Sequence, residues 1–370
     1  MHTKLSLYLH YPWCIRKCPY CDFNSHKKDI SYDEAYFARL LDDFKASQEY
    51  IQGRQFISVF VGGGTPSLGN ASCYASFFDT IAQFLDKDCE ITFEANPGTV
   101  DYKKLCDFKA AGFNRISIGV QSFDNAMLKA LGRIHDSDEA KKACLEARRA
   151  GFLRRNFDLM HTLPGQSTAM ALADLQTACD LECTHLSWYE LTIEEDTHFG
   201  AHPPVLPDED TMLDIEEQGF EFLQKHGFER YEVSAFTKER RCVHNENYWL
   251  FGDYLGLGAG AHSKISLGQS IMRRAHHSLP KSYMQEDYAR FYNVSDNDVP
   301  FEYMLNRLRL FDSISLTDFT DKTGLDVALI EDKLHKASEL GLICFDTANT
   351  YHITRLGKIM LNDILALFLE

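Results

Sequence analysis

Residues 8–25 read YLHYPWCIRKCPYCDFNS, and three cysteines in that run, Cys14, Cys18 and Cys21, stand at C-x3-C-x2-C spacing directly after a short apolar strand expected over 5–10. Thiolates are soft ligands that coordinate metals in deprotonated form, so clustered cysteines in a reducing compartment point to zinc or to an iron-sulfur centre. Zinc asks for a fourth protein ligand. His26 is the nearest donor, and no second C-x2-C pair exists to complete a tetrahedral site. Three cysteines on a cubane cluster instead leave one iron open to a small molecule, and this is the reading adopted.

Outward from that loop, strands and helices alternate. Strands are expected over 56–61, 91–94, 115–120, 156–160 and 185–191, separated by helical periodicity over 32–50, 74–84, 102–111, 137–150 and 168–181. With 5–10 this makes six strands in an α/β pattern of parallel strands and crossover helices, an incomplete barrel. The runs Ala111-Gly112-Phe113, Ala150-Gly151-Phe152 and His226-Gly227-Phe228 each end a helical segment and begin a strand, with glycine as the left-handed cap and Phe packing back on the helix. Residues 203–263 continue the domain with a helix over 208–226, a strand over 229–235 and a glycine-rich run over 251–260.

The expected division is a barrel with its extension over 1–272, a polar, histidine-rich linker over 273–299, and a smaller domain over 300–370. The last reads as a helix over 301–311, two helices joined at Gly324, a two-stranded wing over 342–353 and a final helix over 356–369. A winged helix often reads DNA, but this second helix carries Asp326, Glu331, Asp332 and Glu339 against Lys333 and Lys336, and the whole chain has a formal charge of -16. Phosphate binding needs clustered cations, so no nucleic-acid partner is expected. The apolar stripe Leu361, Ile364, Leu365, Phe368 is expected to pack on the wing rather than meet a membrane. No apolar run approaches a bilayer span, and no export signal precedes the cysteine loop, so the eleven cysteines are expected as free thiols and metal ligands in the cytoplasm.

The cysteine loop, with aromatic Tyr20 just before the last cysteine, resembles the signature loop of the radical S-adenosylmethionine (SAM) superfamily. In that superfamily SAM chelates the open iron of a 4Fe-4S cluster, and an electron from the cluster cleaves the sulfonium to a 5'-deoxyadenosyl radical. The likeness implies a radical SAM barrel of the (β/α)6 kind with a C-terminal winged-helix-like domain. It also gives Gly62-Gly63-Gly64-Thr65, at the end of the second strand, a role in holding the methionyl end of SAM; without it the run reads as a tight strand-to-helix turn. Glu94, Gln121 and Asp158 stand at the ends of three successive strands and Arg133 follows the fourth, so all four converge on one side of the sheet. Tyr8 and Tyr20 offer ring faces to adenine or to the sulfonium.

A closer likeness covers essentially the whole chain. PWC-x3-CPYCDFNS, GGGTPSL, EANPGT, NRISIGVQSF, LGRIH, HLSWYELTIE and HNENYW resemble the HemW heme chaperones, a branch of the family of oxygen-independent coproporphyrinogen III oxidase, HemN. Carried over residue by residue, Cys14, Cys18 and Cys21 would bind the cluster, and Tyr8, Tyr20, Gly63, Gly64, Thr65, Glu94, Gln121, Arg133 and Asp158 would surround SAM. His244 would contact heme as an axial imidazole, with Cys242 as an alternative and His262 read as structural. The implied function is a heme chaperone that carries heme as cargo to a respiratory membrane acceptor, with transient membrane association and self-association into a homo-oligomer both compatible. The alternative is a radical SAM enzyme acting on a porphyrin or porphyrinogen. Oxidase activity is not expected, because the oxidase loop has a further cysteine where this chain has Phe23, and because the oxidase carries an N-terminal extension before its first strand.

Overall fold

The computed structural model describes residues 4–27, 33–268 and 270–369; the expected helix start at Tyr32 lies outside them. Six strands alternate with helices as expected: β1 (Leu5–Tyr11), β2 (Phe56–Gly63), β3 (Leu85–Ala95), β4 (Arg115–Gln121), β5 (Arg154–His161) and β6 (His185–Glu190). Neighbours pair in parallel and in chain order, as successive strand-helix-strand crossovers require.

Each strand has two different faces. Leu7, Val61, Phe93, Ile118, Phe157 and Leu186 enter the main core under the helices. The alternate positions Tyr8, Phe60, Glu94, Gln121, Asp158 and Tyr189 border cavities on the opposite, concave face. A parallel sheet packed on both sides would be apolar at both sets of positions. This chain instead sets polar and aromatic side chains at one set, where they line the cavities of the concave face.

The glycine repeat does what its pattern implied. Gly112, Gly151 and Gly227 have φ of 110°, 86° and 82°, and the Phe after each donates its N–H to a helix carbonyl five residues back, at 3.3, 3.1 and 3.0 Å. This is the Schellman closure, and Phe113, Phe152 and Phe228 are all buried by it.

The sheet runs beyond six strands on both sides, to twelve among the described residues. β7 (Asp253–Leu257) lies parallel to the outer edge of β1, and β8 (His262–Leu267) and β9 (Ser270–Ala275) continue from it in antiparallel fashion. The strand expected over 229–235 is instead split, with Ala235–Thr237 pairing antiparallel to both β6 and Glu229–Arg230.

The polar stretch expected as a linker over 273–299 is folded onto the barrel. It holds the end of β9 and helix Pro280–Gln285. Its polar side chains turn inward: His276 Nε2 lies 3.0 Å and Arg274 Nη1 3.5 Å from the buried carboxylate of Asp43, which also accepts from Tyr283 Oη at 2.8 Å. Composition mistook an internal charge network for a solvated connector.

The smaller domain has its own core, joined by Phe251 and Ile271 of the barrel extension. Helices Leu316–Thr323 and Ala328–Glu339 meet at Gly324, whose φ is 74°. The wing, Ile343–Thr347 and Thr350–Ile353, gains a third strand at Ile314–Ser315. The final helix breaks at Met360 into Arg355–Ile359 and Leu361–Ala366, and Ile364, Leu365 and Phe368 are buried in the domain core. Among the described residues no helix is long and apolar enough to cross a membrane.

Candidate functional site

The cysteine loop is fastened to the glycine end of β2. After β1, Trp13–Cys14 pairs with His26–Lys27 and closes the loop on itself. Gly64 N–H donates to the Tyr11 carbonyl and Thr65 N–H to the Trp13 carbonyl, each at 2.7 Å. A Cβ on Gly64 would sit 2.4 Å from the Trp13 carbonyl oxygen, and one on Gly63, at φ 108°, 2.4 Å from the His10 ring. The glycines are therefore demanded by the close passage of the loop.

This fastening places Cys14, Cys18 and Cys21 on the wall of one cavity of about 490 Å³ with Gly63, Gly64 and Thr65. Tyr20, Glu94, Gln121, Arg133 and Asp158 line the same cavity. The three thiols are free. Burial pushes the Cys14 and Cys21 thiols up, and the like charge of Cys18 adds to it in both. A cationic metal centre would reverse that penalty, since coordinated thiols are deprotonated. Among the described residues the trio whose ligand atoms gather within 4.8 Å is Glu90, Cys242 and His244, well away from this loop. The loop sulfurs do not all gather within that distance of one another.

Two half-buried carboxylates, Glu94 and Asp158, share the cavity with the thiols. Glu94 is pushed up to about 8, by burial first and by the charge of Asp158 second; its contact from Gly63 N–H, at 3.2 Å, offsets this only in part. Burial also raises Asp158, although Ser117 Oγ at 2.9 Å and Asn156 Nδ2 at 2.7 Å both donate to it. Such a site favours a ligand bringing positive charge and hydroxyl donors. Gln121 adopts φ 68° and its Oε1 accepts from Tyr189 Oη at 2.9 Å. Arg133 donates to the Gly119 carbonyl at 2.7 Å and reaches Tyr20 Oη at 3.3 Å and Cys18 Sγ at 3.6 Å, so one guanidinium spans the strand ends and the cysteine loop. Its Nε is buried without a partner. Three free thiols, two carboxylates without an ion-pair partner among the described residues and an incompletely bonded guanidinium are a donor set that fits a cluster with SAM.

Tyr8 stands one step aside, on a second cavity of about 500 Å³ that shares Gly63, Glu94 and Phe23 with the first. Its hydroxyl is 2.9 Å from His10 Nδ1. His244 lines neither cavity. It is buried under the barrel, stacked on Phe60 with centroids 4.0 Å apart, and its Nδ1 lies 3.1 Å from Cys242 Sγ and 3.3 Å from Glu90 Oε1.

Sequence reasoning missed Tyr189, which faces the first cavity and fixes Gln121, and His10, whose ring supports the Gly63 turn and whose Nε2 is 2.8 Å from the Asn24 carbonyl. Period-two spacing from Tyr8 and from Ser187 was the available signal.

A family model described as the radical SAM superfamily matches residues 8–178, and one described as the HemN C-terminal domain matches residues 294–358. The chain is 46% identical over 372 residues to the heme chaperone HemW of Escherichia coli (strain K12), covering 99% of this chain and 98% of that protein. It is 44% identical to the heme chaperone HemW of Haemophilus influenzae, with the same coverage. The structure of coproporphyrinogen III oxidase (HemN) from Escherichia coli superposes with a TM-score of 0.83 at 22% identity, over 99% of this chain and 90% of that one, a likeness of fold.

Proposed function

Because the chain belongs to the HemW family of heme chaperones within the radical SAM superfamily, we propose that it is a cytoplasmic heme chaperone. In this reading it holds a 4Fe-4S cluster and SAM at the open end of its barrel, binds heme as cargo and passes it to a respiratory membrane acceptor. The observation that carries the reading is the one cavity that three free thiols share with two carboxylates that have no ion-pair partner among the described residues, within a chain that matches a heme chaperone along its length. Cys14, Cys18 and Cys21 would hold the cluster. Gly63, Gly64, Thr65 and Glu94 would receive the amino-acid end of SAM, and Gln121, Arg133 and Asp158 its ribose and adenine, with Tyr20 and Tyr8 flanking. When bound, the cluster supplies one electron at the sulfonium. In the chaperone this pair would govern assembly into oligomers or release of heme.

A second reading, a radical enzyme acting on a porphyrinogen, draws on the second cavity that adjoins the first. Against it, Phe23 stands at their junction where the oxidase loop has a further cysteine.

Anaerobic reconstitution, followed by optical and electron paramagnetic resonance (EPR) spectra as SAM and then heme are added, tests the proposal. Cluster signals that shift with SAM, a Soret band on adding heme, and complete loss of the cluster in Cys18→Ala are the expected results. Zinc in place of iron would overturn it, and stoichiometric 5'-deoxyadenosine with porphyrinogen conversion would favour the enzyme.

A further inference from the structure

The second cavity has a chemistry of its own. Tyr8, Phe60, Tyr248, Trp249 and Tyr254 give it broad ring surfaces, and at about 500 Å³ it lies in the range of sites that enclose one organic ligand. Three histidines stand in or beneath this part of the barrel, and two are engaged. His10 sits between Tyr8 Oη and the Asn24 carbonyl, and His244 packs beneath against Cys242 and Glu90. His262, on β8, is different. It lines the cavity, is exposed, and its ring nitrogens have no hydrogen-bond partner among the described residues. Partial burial at the cavity wall, and then the charge of Arg273, lower the pKa of its imidazole, which favours the neutral form that ligates iron. Arg273 borders the same cavity, two of its nitrogens on Glu302 and Nη1 3.0 Å from Tyr254 Oη.

We infer that this aromatic cavity is the seat of a flat iron macrocycle, with His262 as its axial ligand. The inference rests on the heme reading above and adds a location: the cargo lies in a cavity that shares Gly63, Glu94 and Phe23 with the one proposed for SAM, while His244 lines neither. Aromatic walls cover the macrocycle faces and an open imidazole meets the metal, while Arg273, held by Glu302 and Tyr254, braces the wall.

The test is titration of the full, anaerobically reconstituted chain with two probes, hemin and metal-free protoporphyrin. In His262→Ala, hemin affinity should fall on the order of tenfold and the ferric EPR signature should change, while metal-free porphyrin binding and cluster absorbance stay as in the parent. Asn306→Trp, which crowds the cavity rim from the smaller domain, should weaken both probes. Unchanged hemin affinity and spectra in His262→Ala, or an equal loss for the metal-free probe, would overturn the axial assignment. A parent chain that binds hemin normally, with Asn306→Trp unaffected, would overturn the location alone; a parent that binds neither probe would overturn the heme reading itself.

Discussion

Glu90 and Glu94 lie four residues apart on β3 and on the same face of it, yet they sit in opposite electrostatic worlds. Both are buried by their surroundings, and burial alone raises a carboxylate pKa. At Glu90 that effect is outweighed by the hydrogen bond from His244 and by the charges of Arg115 and Arg154, so the group is held well below the usual range. It also forms an ion pair with Arg154 and accepts the Val243 N–H at 2.9 Å, at the start of helix Val243–Trp249. At Glu94 no cation offsets burial, and the carboxyl stays near 8. The floor of the barrel completes its own charge pairs, whereas the open end leaves them for a ligand to complete.

The largest effect should come from breaking the floor. Glu90→Ala strands Arg154 and the first N–H groups of the helix, and removing one partner of a buried pair costs about 3–5 kcal/mol. Denaturant unfolding of the ligand-free protein measures it. Glu94→Gln leaves an amide oxygen for Gly63 N–H and should not lower that stability.

The same Glu94→Gln change should tell at the other end of the comparison. Without a carboxylate to meet its cation, SAM should bind roughly tenfold to a hundredfold more weakly, read by isothermal titration calorimetry on the reconstituted protein. Glu90→Gln, if folded, should leave that affinity alone.

The smallest effect is one of pH. Glu94 has a folded pKa near 8 against an unfolded value of 4.5, so between those values the folded state holds a proton that the unfolded chain has lost. Its contribution is full below pH 4.5 and declines as pH rises through 8. Glu90 has the opposite sign: its lowered folded pKa gives stability above the unfolded value that is lost as pH falls. Ligand-free Glu94→Gln should therefore show a flatter stability profile than the parent between pH 5 and 8. Binding of SAM to the parent near pH 7 should release a proton, seen as a dependence of the calorimetric heat on buffer ionisation.

Much of the first cavity could be read before the fold. C-x3-C-x2-C is a local pattern, and strand ends at Gly63, Glu94, Gln121 and Asp158 are set by an alternation that repeats along the chain. β7 could not be read, because its glycines resemble a loop. Only the packing shows why they are needed: a Cβ on Gly256 would lie 2.0 Å from the His262 carbonyl oxygen. Nor could the fate of 273–299, since Arg274 and His276 look solvated until Asp43 is brought to them from a distant helix.

The sequence by itself determined the three thiols, the parallel strand order and the acidic second helix, because each depends on spacing within a few residues or on composition. Resemblance ranked His244 above His262 as a heme contact, while spacing alone said nothing of which imidazole would stand open. Tertiary structure decided that, because burial is a property of what arrives from elsewhere: Phe60 and Glu90 close over one imidazole, and the folding of β8 beside β7 leaves the other open to the lumen.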